Sequence, residues 1–139
     1  MSTADHTPSE PKKLALVTGA SRGLGSALAE ALAAAGWHVM AVARTVGALE
    51  ELDDRIQAAG GSATLAPLDV TDADQMKHLA SSIAARWGGV QLWAHCAVHA
   101  APLTPAAHID PKDMTKSIAT NLAATATLLP LIEPLLRAG

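Results

Sequence analysis

The stretch Thr18-Gly19-Ala20-Ser21-Arg22-Gly23-Leu24-Gly25 follows the apolar run Leu14-Ala15-Leu16-Val17 and passes directly into a helical pattern. A strand that turns through glycines into a helix N-terminus brings free backbone N–H groups and the positive end of the helix dipole to one place, which suits a pyrophosphate. A glycine pattern alone is weak evidence; its placement after a strand, before a helix and inside a βαβ unit is what gives it weight. A tight turn in some other α/β protein is the competing reading. A P-loop is not supported, because no Gly-Lys-Ser or Gly-Lys-Thr follows the glycines.

The plan repeats along the chain. Leu24, Ala27, Leu28, Ala31, Leu32 and Ala35 fall at i, i+3, i+4 spacing, so a helix is predicted from about Arg22 to Ala35, ended by Gly36. Val39–Ala43 reads as a short buried strand. Leu49, Leu52, Ile56 and Ala59 form a second helical stripe, closed by Gly60-Gly61 where a left-handed cap is wanted. Ala63–Leu68 is a third strand, Met76, Leu79, Ala80, Ile83, Ala84 and Trp87 a third helical face stopped by Gly88-Gly89, and Val90–Ala97 a fourth strand. Asp110-Pro111 starts a last helix, with Asp as N-cap and Pro at the first helical position. Pro130 and Pro134 predict a kink or an end near Leu129. Strand and helix alternating four times imply an α/β fold, a doubly wound parallel sheet of Rossmann-like type.

The organisation expected is a disordered tail over residues 1–12 and one nucleotide-binding half-domain over 13–139, truncated after the fourth strand and fourth helix. Hydrophobic residues make up 50% of the 139 and charged ones 17%, which describes a globular chain rather than a disordered one. A net charge of −3 offers no broad positive field, so neither nucleic acid nor an anionic membrane is an expected partner. No apolar run is read as membrane-spanning, and Met1–Lys13 lacks the apolar segment of a secretory signal. The single cysteine, Cys96, excludes an internal disulfide and fits a reducing compartment, so a cytoplasmic location is expected. His95, Cys96, His99 and His108 carry zinc-ligand chemistry but no paired ligand spacing, so no metal site is expected.

The end of the second strand discriminates between cofactors. A carboxylate there, about 20 residues past the glycines, would bind the ribose hydroxyls of NAD. Ala43-Arg44 stands there instead, and Arg22 lies in the turn; guanidinium groups pair with a 2′-phosphate, so NADP is favoured over NAD. The alternative is that Arg44 is only a solvated charge.

The spacing Thr-Gly-x-x-x-Gly-x-Gly makes the chain resemble the short-chain dehydrogenase/reductase family, from Leu14 to the C-terminus. The resemblance implies a cofactor site at Gly19, Ser21, Arg22, Gly23, Leu24 and Gly25, continued by Arg44, by Asp69-Val70 as an adenine-contacting pair, and by Cys96. It also implies that Asn121, in Thr120-Asn121-Leu122, is the counterpart of a catalytic asparagine. Asp69 as a helix N-cap and Asn121 as an ordinary polar helix position are the structural alternatives. Where the family has Asn-Asn-Ala-Gly, this chain reads Ala94-His95-Cys96-Ala97.

Family chemistry is carbonyl/alcohol hydride transfer with a downstream Ser and a Tyr-x-x-x-Lys helix, the tyrosine acting as general acid or base. The chain contains no tyrosine. The leading expectation is therefore the cofactor-binding half of an NADP-dependent oxidoreductase, inactive alone. A stand-alone non-catalytic dinucleotide-binding or interaction module is the alternative, and a methyltransferase is disfavoured because its second strand would present an acid to the ribose. Left as an edge, the fourth strand would invite pairing, so homo-oligomers or aggregates through that strand or the last helix are expected.

Overall fold

The computed structural model describes residues 11–139, so the tail expected over 1–12 falls almost wholly outside the described residues. Four parallel strands, β1 (Leu14–Thr18), β2 (His38–Ala43), β3 (Ser62–Pro67) and β4 (Leu92–His95), lie in the order β3-β2-β1-β4. Between them run α1 (Gly23–Ala34), α2 (Val46–Ala58) and α3 (Ala73–Trp87). After β4 the chain passes through a 3₁₀ turn (Ala106–His108) into α4 (Pro111–Ile118), a π-helical turn (Ala119–Ala123) and α5 (Ala124–Ala138). This is the doubly wound, Rossmann-like sheet with helices on both faces.

Side-chain alternation along the strands builds two cores. Leu14, Leu16, Met40 and Val42 face one side of the sheet, where Met76, Leu79 and Ile83 of α3 meet Leu128, Ile132 and Leu135 of α5. Val17, Val39 and Ala41 face the other, against Ala29 and Ala33 of α1 and Leu49, Leu52 and Ile56 of α2. Burial on both faces is why β1 and β2 read as continuous apolar runs rather than alternating ones.

Helix boundaries follow local chemistry. Arg22 and Ala35 are the caps of α1, and Gly60 takes a left-handed φ of 82° just after α2. The Asp72 side chain accepts from the N–H groups of Asp74 and Gln75, so Asp72, not Asp69, is the N-cap of α3. Asp110 accepts from Lys112 N–H at 2.8 Å and starts α4 with Pro111 in its first turn.

Two expectations about elements are corrected. The fourth strand is shorter than Val90–Ala97: Val90 N–H turns to the Leu135 carbonyl (2.9 Å), and beyond Cys96, whose N–H makes a last bond to the Thr18 carbonyl (2.9 Å), the chain lines a cleft. The last helix neither ends near Leu129 nor stops at its prolines, but continues to Ala138. Pro130 and Pro134 are exposed and four residues apart, so the carbonyls they leave without an N–H donor lie where water can reach them. Meanwhile Leu128, Ile132 and Leu135 hold the opposite face of α5 in the core. The departure from α-helical geometry sits upstream instead, at Ala119–Ala123, where Ala124 N–H reaches back five residues to the Ala119 carbonyl.

A third correction concerns hydropathy. Pro111–Ala138 is one 28-residue helical run whose best window has mean hydropathy 1.3, long and apolar enough by those measures to cross a membrane. Thr, Asn and Pro interrupt its apolar residues, so no unbroken apolar run marks it in the sequence. In the fold, the α5 part of this run packs on α3 and β4.

Candidate functional site

The C-terminal ends of all four strands open into one cleft of about 630 Å³, within the range of small-molecule and cofactor sites. It lies where the strand order reverses between β1 and β4, the place where open α/β sheets bind ligands.

The floor is the glycine turn. Gly19 N–H and Ala20 N–H both donate to the Val42 carbonyl, at 2.9 and 3.1 Å, which fixes the turn to the end of β2. Gly19 has φ 73°, and a Cβ there would lie 2.5 Å from the Ala97 nitrogen. A Cβ on Gly25 would collide with the Gly19 carbonyl oxygen. These two positions let the turn, the start of α1 and the end of β4 approach one another. Gly23 differs, having φ 58° with nothing within 4 Å of an added Cβ. No side chain caps α1, and its first turn contains no acid. Its leading N–H groups are therefore available to an anion, unlike those of α3 and α4, which aspartates cap.

Gly19, Ser21, Arg22, Gly23, Leu24 and Gly25 all line the cleft, together with Arg44, Asp69, Val70 and Cys96. Arg22 and Arg44 are exposed, and neither forms an ion pair among the described residues. Leu68 N–H donates to the Ala43 carbonyl (3.0 Å), placing Asp69 beside the end of β2. The Asp69 carboxylate accepts from Thr71 N–H and Oγ1, at 2.9 and 2.8 Å, a local turn that holds it at the rim. Burial pushes the Cys96 thiol above its ordinary pKa.

Asn121 is brought close to this region but does not line the cleft; its neighbour Thr120 does. From the π-helical turn the Asn121 side chain bonds the backbone of His99, so it is not an ordinary polar helix position. The His99 ring turns away to Asp113 on α4, with Nε2 3.3 Å from Oδ1. No group of three His, Cys, Asp or Glu side chains suited to a metal converges among the described residues.

Sequence reasoning puts His95 at the cofactor-side end of the fourth strand and Thr18 at the start of the glycine motif, but it missed their pairing. Thr18 is fully buried at the end of β1, and its Oγ1 is 2.6 Å from His95 Nδ1 on the neighbouring strand. His95 lines the cleft, and burial holds its pKa below the usual histidine value. The available signal was a polar residue ending each of two apolar strands, since buried polar groups need partners. Val42, Ala43, Leu68, Ala97, Val98 and Ala100 complete the walls as apolar surface that no motif marks.

Comparison with known proteins identifies this arrangement. The family model for short chain dehydrogenases matches residues 13–138. The chain is 47% identical over 73 residues to a fatty acyl-CoA reductase of Acinetobacter baylyi, an alignment covering 52% of this chain and 25% of that protein. Among solved structures, a metagenomic short-chain oxidoreductase in complex with NADP superposes with TM-score 0.76 at 32% identity, covering 89% of this chain and 56% of that one. A short chain dehydrogenase of Mycobacterium paratuberculosis bound to NAD superposes with TM-score 0.80 at 25% identity, covering 89% and 50%. The chain thus spans about half the length of those structures and a smaller share of the reductase. It belongs to the short-chain dehydrogenase/reductase family.

Proposed function

We propose that the cleft binds NADP in preference to NAD, and that this chain supplies the cofactor-binding half of a carbonyl/alcohol oxidoreductase. The observation that carries the reading is the uncapped N-terminus of α1 opening into a cleft that Arg22 and Arg44 also line. The N–H groups of Gly23, Leu24 and Gly25 would hold the pyrophosphate, and the two guanidinium groups the 2′-phosphate. Asp69 and Val70 would flank the adenine, and Cys96 the ribose side of the cleft. The bound cofactor would supply the hydride. The residues of this chain orient it, and Asn121 keeps the loop after β4 in place.

Family relatives bind either cofactor, one solved with NADP and one with NAD, so the preference rests on the arginines. Calorimetric titration with NADPH and NADH tests it: NADPH binds more tightly and Arg44→Ala removes the preference. Tighter NADH binding, or a preference that Arg44→Ala leaves intact, overturns it.

The alternative reading is a non-catalytic dinucleotide-binding module, for which the same cleft would suffice. Following NADPH absorbance with a panel of ketones and aldehydes separates the two. No turnover is expected from these residues alone, and turnover appearing when family-type downstream sequence is added supports the oxidoreductase reading. A cytoplasmic site of action, consistent with the single unpaired cysteine, belongs to the same proposal.

A further inference from the structure

We propose that His95, bridging Thr18 and Thr125, is the positioning residue that couples occupancy of the cleft to the turn bearing Asn121, by selecting which of two backbone carbonyls keeps a hydroxyl donor. The inference rests on the dinucleotide reading of the cleft and adds to it a regulatory link that runs through this chain's own departure from the family's Asn-Asn-Ala-Gly.

Both ring nitrogens of His95 meet a threonine hydroxyl: Nδ1 that of Thr18 at 2.6 Å, Nε2 that of Thr125 at 3.1 Å. Each hydroxyl also has a backbone acceptor. Thr18 Oγ1 is 3.4 Å from the Ala94 carbonyl oxygen, and Thr125 Oγ1 is 3.3 Å from that of Asn121. A hydroxyl has one proton, and a neutral imidazole has one N–H. If Nδ1 carries the ring proton, it donates to Thr18, which donates to Ala94; Thr125 then gives its proton to Nε2, and the Asn121 carbonyl loses that donor. If Nε2 carries it, Thr125 accepts from the ring and donates to Asn121, while Thr18 gives its proton to Nδ1 and the Ala94 carbonyl loses its donor. Each state makes three bonds along the relay, so the two are closely balanced by count. They differ in which end of the relay is tied down.

The ends belong to different parts of the molecule. His95 ends β4 and lines the cleft, with Ala94 the residue before it, whereas Thr125 opens α5, lies outside the cleft lining, and reaches back to the π-helical turn. Burial disfavours the charged ring, which would let both threonines keep their carbonyls and so abolish the choice. Among the described residues no charged side chain hydrogen-bonds the ring. The ionisable groups that share the cleft with it are Arg22, Arg44, Asp69 and Cys96.

Two measurements test this. Nitrogen-15 spectra of the His95 ring in the cofactor-free chain at neutral pH are expected to show one protonated and one bare nitrogen, with the Nε2 resonance moving in Thr125→Val. A doubly protonated ring, or an Nε2 resonance indifferent to Thr125→Val, overturns the relay. The second is a double-mutant cycle on NADPH affinity using His95→Asn and Thr125→Val. Thr125→Val is expected to weaken NADPH binding about three- to tenfold with His95 present and not measurably in the His95→Asn background, whereas Thr125→Ser restores affinity. Additive effects, or failure of Thr125→Ser to restore binding, overturn the coupling while leaving the dinucleotide reading intact. If the unsubstituted chain binds neither NADPH nor NADH, that reading fails and the coupling fails with it. Circular dichroism establishes that each variant is folded, and Thr125→Ala replaces Thr125→Val in the cycle if the latter is not.

Discussion

Asn121 holds the backbone of His99 from both sides: its Oδ1 accepts from His99 N–H at 2.9 Å and its Nδ2 donates to the His99 carbonyl at 3.0 Å. The two residues are 22 apart in sequence, and the clamp ties the π-helical turn to the loop that leaves β4 along the cleft. Removing it with Asn121→Ala deletes two hydrogen bonds at a solvent-accessible place, so a loss of about 1–2 kcal/mol is expected. Asn121→Asp keeps the acceptor and loses the donor, and should fall between the two. Urea titration of the three proteins checks the order, and hydrogen exchange should show the His99 amide losing protection first. Unchanged His99 protection in Asn121→Ala would contradict the clamp.

The glycine turn gives a ranked prediction. Gly25→Ala would drive a methyl into the Gly19 carbonyl oxygen, and Gly19→Ala would add a methyl 2.5 Å from the Ala97 nitrogen at φ 73°. Neither neighbour is a flexible side chain, so backbone must move, at a cost of about 3 kcal/mol or more. Gly23→Ala meets nothing within 4 Å and carries only the strain of φ 58°, about 1–2 kcal/mol. Thermal unfolding of the three variants tests the ranking, and a Gly23→Ala variant less stable than Gly25→Ala would overturn it.

What the sequence revealed and what it withheld divide by the range of the interaction. The glycine turn, the presence of four strands and the aspartate cap of α4 are written in adjacent residues and are legible there, whereas the ends of β4 are not. Asp69 and Asp72 lie three residues apart before the same helix. Which of them caps depends on where the chain finishes turning out of β3, and that is settled in three dimensions: Leu68 N–H bonds Ala43, and Asp69 is occupied with Thr71. The prolines of α5 misled because local propensity counts a lost donor wherever it falls, whereas here the apolar face packed on α3 outweighs it. Thr18 with His95, 77 residues apart, and His95 with Thr125, 30 apart, leave no local pattern at all.

Cys96 offers a chemical probe of the cleft. Its thiol is partly buried, lines the cleft, and is held above its ordinary pKa by burial, so little thiolate is present at neutral pH. Alkylation by iodoacetamide should be slower than that of an exposed cysteine in an unfolded peptide, and slower again with saturating NADPH. A rate unaffected by NADPH, in a chain shown calorimetrically to bind it, would exclude Cys96 from the occupied surface.

Association is expected to engage one of two surfaces. Among the described residues β4 pairs only with β1, leaving its other edge without a strand, and Met114, Ile118 and Leu122 expose apolar side chains along α4 and the turn after it. Sedimentation velocity should show concentration-dependent association. Met114→Lys with Leu122→Lys distinguishes the surfaces: association that persists points to the strand edge, and association abolished points to the helix. A monodisperse monomer at all concentrations contradicts both.

The last prediction concerns acid. His38 opens β2 with Nδ1 and Nε2 each 2.8 Å from a hydroxyl, those of Ser62 and Thr64, and its ring stacks on Trp87 at 4.6 Å. Burial holds its pKa below the ordinary value of 6.5, with the positive charges of Lys12 and Arg86 acting in the same direction, and burial lowers that of His95 as well. When the folded pKa lies below the unfolded one, the unfolded chain takes up protons first as pH falls. Stability should therefore be level above the unfolded value near 6.5 and decline below it, until each folded histidine is itself protonated. Urea midpoints measured from about pH 8 to about pH 5.5 test this in a range where ordinary carboxylates remain ionised. His38→Gln should flatten part of the decline by removing one linked proton. A midpoint that rises as pH falls through this range, or a slope that His38→Gln leaves unchanged, would show that the ring is not the neutral partner of Ser62 and Thr64.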